Sequence, residues 1–325
     1  MPRTIIATKN CRVRILFWGT PEFAAPSLRA LVGEGFDVAG VVTQPDKPVG
    51  RSRSTVRQPP VKRVALEEGL DVLQPERPTS EGVLAAVDRM SPDISVVVAY
   101  GHILPESLIT LPRLGTINVH ASLLPALRGA APIQAAVRLG LEQTGISIMR
   151  MVRRLDAGPV LHRVTTPIAP DETGGELTLR LSEIGALAAV EALAMIDLGR
   201  VVEAPQDERH ATYAPKIERA MTRVQWTAPA REVARLVQAY DPVPGSFAFY
   251  GSAPVKLFGA TVVGRAAGGE MTDPGTVLEI DSVGMTVVCG VGAVRIAAVQ
   301  PAGKRQMTPV AWAHGRGIAS GQRLS

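Results

Sequence analysis

The sequence predicts an α/β fold, a doubly wound and mostly parallel sheet, followed by a separate small β-barrel. Three observations carry this expectation. Residues 13–43 read as an apolar strand, a helix and a second apolar strand, and a β-α-β opening of this kind builds a parallel sheet. Residues 93–100 (DISVVVAY) are strongly β-branched, the composition of a buried strand. From Gly245 onward the pattern changes to short strands punctuated by glycine, the rhythm of a small barrel.

Taken in order, residues 1–12 mix basic and small residues without an apolar core, so they read as a disordered extension rather than a signal peptide. The fold opens at Val13. A strand over 13–18 ends at Gly19, Pro21 suits the first turn of a helix running to Glu34, and Gly35 stops it. A second strand covers 38–43. Gly19 stands alone, without the G-x-G-x-x-G pattern, so no nicotinamide or flavin cofactor is expected. Residues 44–60 hold four prolines, Gly50 and the basic series Lys47, Arg51, Arg53 and Arg57, and read as a long loop. A loop of that length in a compact domain is usually functional or disordered. A helix at 60–69, the buried strand, a strand at 115–120, a helix at 132–139 and strands at 144–151 and 160–166 follow. Glu172-Thr173 caps a long amphipathic helix that reaches about Leu198. The first domain is therefore 13–203, and Rossmann-like. Residues 204–222 lack periodicity and read as a linker. A helix over 226–240 and strands at 246–250, 255–263, 275–280, 285–289 and 294–299 make a second domain, 223–325, of the oligonucleotide-binding type.

Bulk properties narrow the function classes. At 325 residues the chain is long enough for two cores. No apolar run reaches the ~18 residues of a membrane span. Cys11 and Cys289 lie far apart and no Cys/His cluster exists, which points to a reducing cytosol and against structural zinc. The net charge of +5 is unevenly spread. Residues 51–63 hold five bases and no acid, and from Arg223 to the end ten Lys/Arg face six Asp/Glu. Such a balance fits a polyanionic partner, RNA foremost, and equally a soluble surface that is simply basic.

The chemistry concentrates in residues 117–132 (INVHASLLPALRGAAP). Strand alternation puts Asn118 and His120 on one face. A carboxamide N–H can meet a developing oxyanion and an imidazole can move a proton, so the pair suits acyl chemistry. A carboxylate to orient the imidazole would come from elsewhere, and Asp156 is the best candidate. In open parallel sheets ligands sit beyond the carboxyl ends of the strands, where the Gly19, His102, His120 and Asp156 segments gather.

These residues and their neighbours resemble the methionyl-tRNA formyltransferase family along nearly the whole chain. The matching runs are 14–24 (RILFWGTPEFA), 44–48 (QPDKP), 99–101 (AYG), 117–134 (INVHASLLPALRGAAPIQ), 155–159 (LDAGP), 211–216 (ATYAPK), 241–245 (DPVPG) and 300–304 (QPAGK). The Asn-x-His-x-Ser-Leu-Leu-Pro core is shared by folate-dependent formyltransferases generally; the later runs point to the tRNA-specific members. The resemblance implies formyl transfer from 10-formyltetrahydrofolate to the amino group of methionine on initiator tRNA, without a metal. It implies Asn118, His120 and Asp156 as the catalytic set, and Ser122, Leu123, Leu124 and Pro125 as the folate loop, with free backbone groups for a pterin. Ile103 and Leu104 would form another wall of that pocket. Lys47, Arg51, Arg53 and Arg57 would meet the acceptor stem, with Arg51 foremost. A cytoplasmic monomer is expected. The rivals are a formyltransferase for a small amine and an RNA-binding relative without catalysis. Two features depart from the family pattern: His102, where an apolar residue is expected, and Arg153-Arg154 before Leu155-Asp156. Arg128 is expected to hold its loop through backbone carbonyls.

Overall fold

The computed structural model describes residues 13–49, 55–263 and 273–325. The expected extension at 1–12 lies outside them. The chain divides into two compact units. One comprises the residues up to Gly129 with Gly145–Thr166 and Leu179–Tyr213; the other comprises Ala130–Thr144, Pro167–Thr178 and Ala214–Ser325.

The first unit begins as expected. Strand β1 (Arg14–Gly19) leads through helix α1 (Ala25–Gly33) to β2 (Asp37–Val42). The expected helix at 21–34 is broken into a 3-10 turn, Glu22–Ala24, before α1. Pro26, at the start of α1, explains the break, because a residue without an N–H is tolerated only in a first turn. Residues 44–60 are not a bare loop. Strands β3 (Lys47–Val49) and β4 (Thr55–Arg57) pair antiparallel, Lys47 opposite Arg57. Helix α2 (Pro60–Glu67), β5 (Val72–Leu73), α3 (Val83–Arg89), β6 (Ile94–Val98), α4 (Glu106–Ile109) and β7 (Thr116–His120) follow. After α5 (Pro132–Leu139) come β8 (Gln143–Arg150) and β9 (Val160–Pro167). The seven-stranded sheet has the order β5-β2-β1-β6-β7-β8-β9. Strands β1, β2, β5, β6 and β7 pair parallel, and β8 runs antiparallel to β7. All five side chains of β6 are buried, in keeping with its β-branched sequence. Trp18, Tyr100, Leu104 and Leu108 fill the core on one face.

Helix α6 (Gly174–Asp197) opens with a reciprocal cap. Glu176 N donates to Thr173 Oγ1 at 3.2 Å, and Thr173 N donates to the Glu176 carboxylate at 2.9 Å. The backbone donor of Thr173 also holds the Glu176 carboxyl below its ordinary range.

In the second unit, helix α7 (Ala230–Tyr240) starts four residues later than the sequence suggests, because Pro229 is extended. That frees Trp226 to enter the core with Val233, Leu257, Ile296 and Trp312. Strands β10 (Ser246–Tyr250), β11 (Ala253–Val263), β12 (Val277–Ile280), β13 (Met285–Val288) and β14 (Ala293–Pro301) form one antiparallel sheet, ordered β10-β11-β14-β13-β12. Helix α8 (Pro309–His314) ends the chain's regular structure. Residues 130–144 and 167–178, which the expected boundary at 203 placed with the first domain, cluster with this unit. Helix α5 packs on α7, and Gly175 N donates to Asp241 O at 2.9 Å. Among the described residues, no helix is long and apolar enough to cross a membrane.

Candidate active site

Strand β7 delivers the carboxamide and the imidazole. Asn118 is half-buried, and His120, two residues on and therefore on the same face, is buried. Among the described residues the Asn118 carboxamide makes no hydrogen bond, so both its N–H groups are available. His120 is more constrained. Its Nε2 lies 3.0 Å from the backbone carbonyl of Leu127. A carbonyl only accepts, so Nε2 carries the hydrogen. The other ring nitrogen, Nδ1, faces Asp156 Oδ2 at 3.7 Å, with both side chains nearly buried. In the neutral ring Nδ1 is thus the lone-pair atom. The group that aims the ring is the Leu127 carbonyl, and the expected orienting carboxylate faces the opposite nitrogen.

Asp156 arrives on the loop after β8. The same Oδ2 accepts from Gly129 N at 2.8 Å, which fixes the carboxylate beside the ring. Gly129 has φ +117°, a conformation that side chains exclude, so the donor is aimed by a position only glycine fills. Gly158 is needed for another reason: a Cβ there would lie 1.9 Å from Arg150 O. Two other residues near the ring are held in left-handed backbone, Leu127 at φ +58° and Asp156 at φ +47°. Such conformations cost non-glycine residues of order 1–3 kcal/mol and persist only where the surroundings enforce them.

The enforcement comes from residues 204–213, which the sequence presents only as part of a linker. Thr212 Oγ1 accepts from Leu127 N at 2.9 Å, and Thr212 O accepts from Arg128 N at 2.9 Å. Gln206 Nε2 donates to Asp156 O at 2.8 Å and to Gly158 O at 2.7 Å. The Arg128 side chain has no solvent exposure and forks onto this segment. It donates to Gln206 Oε1 at 2.7 Å and to both oxygens of Glu208, at 2.9 and 3.0 Å. Arg128 therefore grips side chains rather than the expected backbone carbonyls. The Glu208 carboxylate raises the guanidinium's pKa, and the guanidinium in turn lowers that of Glu208. Arg154, one of the two departures from the family pattern, pairs with the same Glu208. Thr212 lay within a matching run of sequence; nothing in the pattern marked Gln206 or Glu208.

The Ser122–Pro125 loop differs from expectation in one respect. Several of its backbone groups are already engaged within the protein. Ser147 Oγ donates to Ser122 O at 2.7 Å and accepts from Leu124 N at 3.1 Å, while Arg163 donates to Leu124 O at 2.5 Å. The Leu124 side chain is buried against Met149 and Val160. The loop turns inward because a buried backbone must be paired, and Leu123 and Pro125 keep partial exposure. Leu104 is a core residue, whereas Ile103 is 84% exposed. His102 stands edge-on to Tyr100, ring centroids 5.6 Å apart. Of the basic series, Lys47 and Arg57 are exposed on the β3–β4 pair; Arg51 and Arg53 lie outside the described residues. The run 44–48 is anchored at its other end. Gln74 and Lys62 both donate to Asp46, at 2.7 Å each, and these bonds hold its carboxyl below the usual range. Among the described residues no group of His, Cys, Asp and Glu could hold a metal ion.

Residues 11–193 match the formyl transferase family, and residues 216–317 match the formyl transferase C-terminal domain. The chain is 43% identical over 312 residues to the methionyl-tRNA formyltransferase of Aromatoleum aromaticum, covering 96% of this chain and 97% of that one. It is 45% identical over 293 residues to the enzyme of the same name from Pseudomonas paraeruginosa, covering 90% and 93%. The chain belongs to the methionyl-tRNA formyltransferase family. It is an enzyme, a formyltransferase, and its formyl donor is 10-formyltetrahydrofolate. Among solved structures, it is similar to HypX from Aquifex aeolicus in complex with tetrahydrofolic acid (TM-score 0.66, 20% identity). That likeness covers 92% of this formyltransferase and 46% of HypX, and shows the fold alone.

Proposed function

We propose that Asn118, His120 and Asp156 carry formyl transfer to the α-amino group of methionine on initiator tRNA. The observation that carries this reading is the His120–Asp156 pair, with Nδ1 facing the carboxylate at 3.7 Å while Nε2 is engaged by Leu127. The amine attacks the formyl carbon, and negative charge develops on the formyl oxygen. Asn118 donates an N–H to that oxygen; removing one such donor costs ~10²–10³ in rate. The attacking nitrogen must lose a proton. His120 Nδ1 takes it, because it is the one ring nitrogen with a lone pair, and the Asp156 carboxylate stabilises the imidazolium that results. Collapse breaks the bond from the formyl carbon to the folate nitrogen. His120 returns the proton to that nitrogen, so the products are the formylated amine and the N–H folate. His120 donates from Nδ1 only in this charged state. Asn118 is therefore the constant donor to the oxyanion.

In this reading Leu123 and Pro125 offer the apolar surface of the folate loop, Ser122 and Leu124 fix its shape, and the exposed Ile103, after β6, forms another wall of the pocket. Lys47, Arg51, Arg53 and Arg57 contact acceptor-stem phosphates, helped by the basic surplus of the second unit. The enzyme works as a cytoplasmic monomer. A transfer assay comparing charged initiator tRNA with free methionine and amino-sugars tests the acceptor: formylation of the tRNA alone is expected. Formylation of the small amines in preference to the tRNA would overturn the reading.

A further inference from the structure

We infer that Gln206 is a positioning residue for formyl transfer, acting through Asp156. The inference rests on the proposed role of Asp156 beside His120. Gln206 bridges two things that the reaction needs kept in register. Its amide nitrogen donates to Asp156 O and Gly158 O, at 2.8 and 2.7 Å, the two carbonyls that flank the turn presenting the carboxylate. Its amide oxygen accepts from Arg128 Nε and Nη2, at 3.1 and 2.7 Å. Arg128 immediately precedes Gly129, whose N–H binds the Asp156 carboxylate. The ring is therefore closed: Asp156 backbone, Gln206, Arg128, Gly129 N, Asp156 side chain.

A carboxamide is the one natural side chain of this length that donates to carbonyls at one end and accepts from a guanidinium at the other. Without it, the left-handed backbone at Asp156, φ +47°, loses the bond to its own carbonyl. The turn relaxes, Oδ2 leaves Nδ1, and the imidazolium loses its partner as the proton moves. Glu208 still pairs with Arg128 and Arg154 on the solvent side, so loss of the Gln206 bonds is expected to act on the Asp156 turn and to leave the fold in place.

Gln206→Glu tests this with little change of shape. The carboxylate keeps, and strengthens, the contact to Arg128, but it cannot donate to either carbonyl. Gln206→Met keeps the packing and removes both ends. Each variant is assayed for kcat and for KM toward charged initiator tRNA and the folate donor, with melting temperature and folate-binding stoichiometry measured alongside. The expected result is a fall in kcat of about 10²-fold in both, the scale of a positioning error near 1 Å, with both KM values within about twofold. Folding and stoichiometry stay at parental values for Gln206→Glu. Parental kcat in Gln206→Glu overturns the inference, as does a fall that tracks loss of folded, folate-binding protein. Asp156→Asn, run in parallel, separates the two levels of the argument. If Asp156→Asn keeps parental kcat, the assignment of Asp156 fails. If it loses activity while Gln206→Glu does not, only the role of Gln206 fails.

Discussion

Tyr100 carries a hydroxyl that has no hydrogen-bond partner among the described residues, although only 1% of the residue is exposed. Its backbone carbonyl does the visible work, accepting from Thr20 Oγ1 at 2.9 Å and Gln44 Nε2 at 3.0 Å. A buried, unpaired hydroxyl costs about 1–3 kcal/mol. Tyr100→Phe is therefore expected to stabilise the protein by about 1 kcal/mol in denaturant unfolding, with kcat unchanged. Burial also pushes the phenol up to about 12. Because the unfolded phenol ionises near ~10, the native state holds the proton longer, and stability falls as pH rises between those values. That alkaline loss shrinks in Tyr100→Phe; an unchanged slope contradicts the assignment. Legibility at this scale divides by how a residue acts. Asn118 and His120 announce themselves because strand alternation places them on one face, and Asp156 through the Leu-Asp-x-Gly-Pro run that resembles the family's. Gln206 was not legible. Its role exists only through bonds to carbonyls 48 and 50 positions away, and a lone glutamine in an aperiodic stretch signals nothing.

Among elements, the β3–β4 pair is the one whose character changed most between sequence and structure. Prolines and glycine made 44–60 read as a loop, yet its ends pair and bring Lys47 opposite Arg57. Two cations facing each other across a ribbon repel, a cost that a bound phosphate chain would remove. The double variant Lys47→Ala, Arg57→Ala is expected to raise KM for tRNA and reduce the dependence of log(kcat/KM) on log[salt] by about two, with folate KM unchanged. An unchanged tRNA KM would remove the ribbon from the interface. The long, strongly patterned elements, β1, β6, α6 and the strands of the second unit, were legible to within a few residues. The two residues of β5 and the four of α4 were not, because elements that short carry no period to detect. The late start of α7 was legible in principle, since Pro229 marks it.

The two units draw their residues from interleaved parts of the chain, which no linear reading of composition reveals. Residues 130–144 and 167–178 join the second unit because α5 packs on α7 and Gly175 N bonds Asp241 O, partners far along the chain. The fold class, by contrast, follows from local signals, since a β-α-β opening builds a parallel sheet and closely spaced short strands an antiparallel one. What the whole molecule adds is the frame behind the site. A buried Arg128 ties residues 206 and 208 to the loop that ends β7, and holds strained backbone at Leu127 and Asp156 where the chemistry needs it. The central claim is that His120, aimed by Leu127 and faced by Asp156, moves the proton of the attacking amine. Single-turnover formylation of charged initiator tRNA by His120→Ala, at saturating folate donor, tests it most directly. A rate lowered by ~10²–10⁴ is expected, with folate affinity nearly unchanged. A rate within about threefold of the parent enzyme would contradict it, because proton transfer by a positioned side chain is worth far more than that.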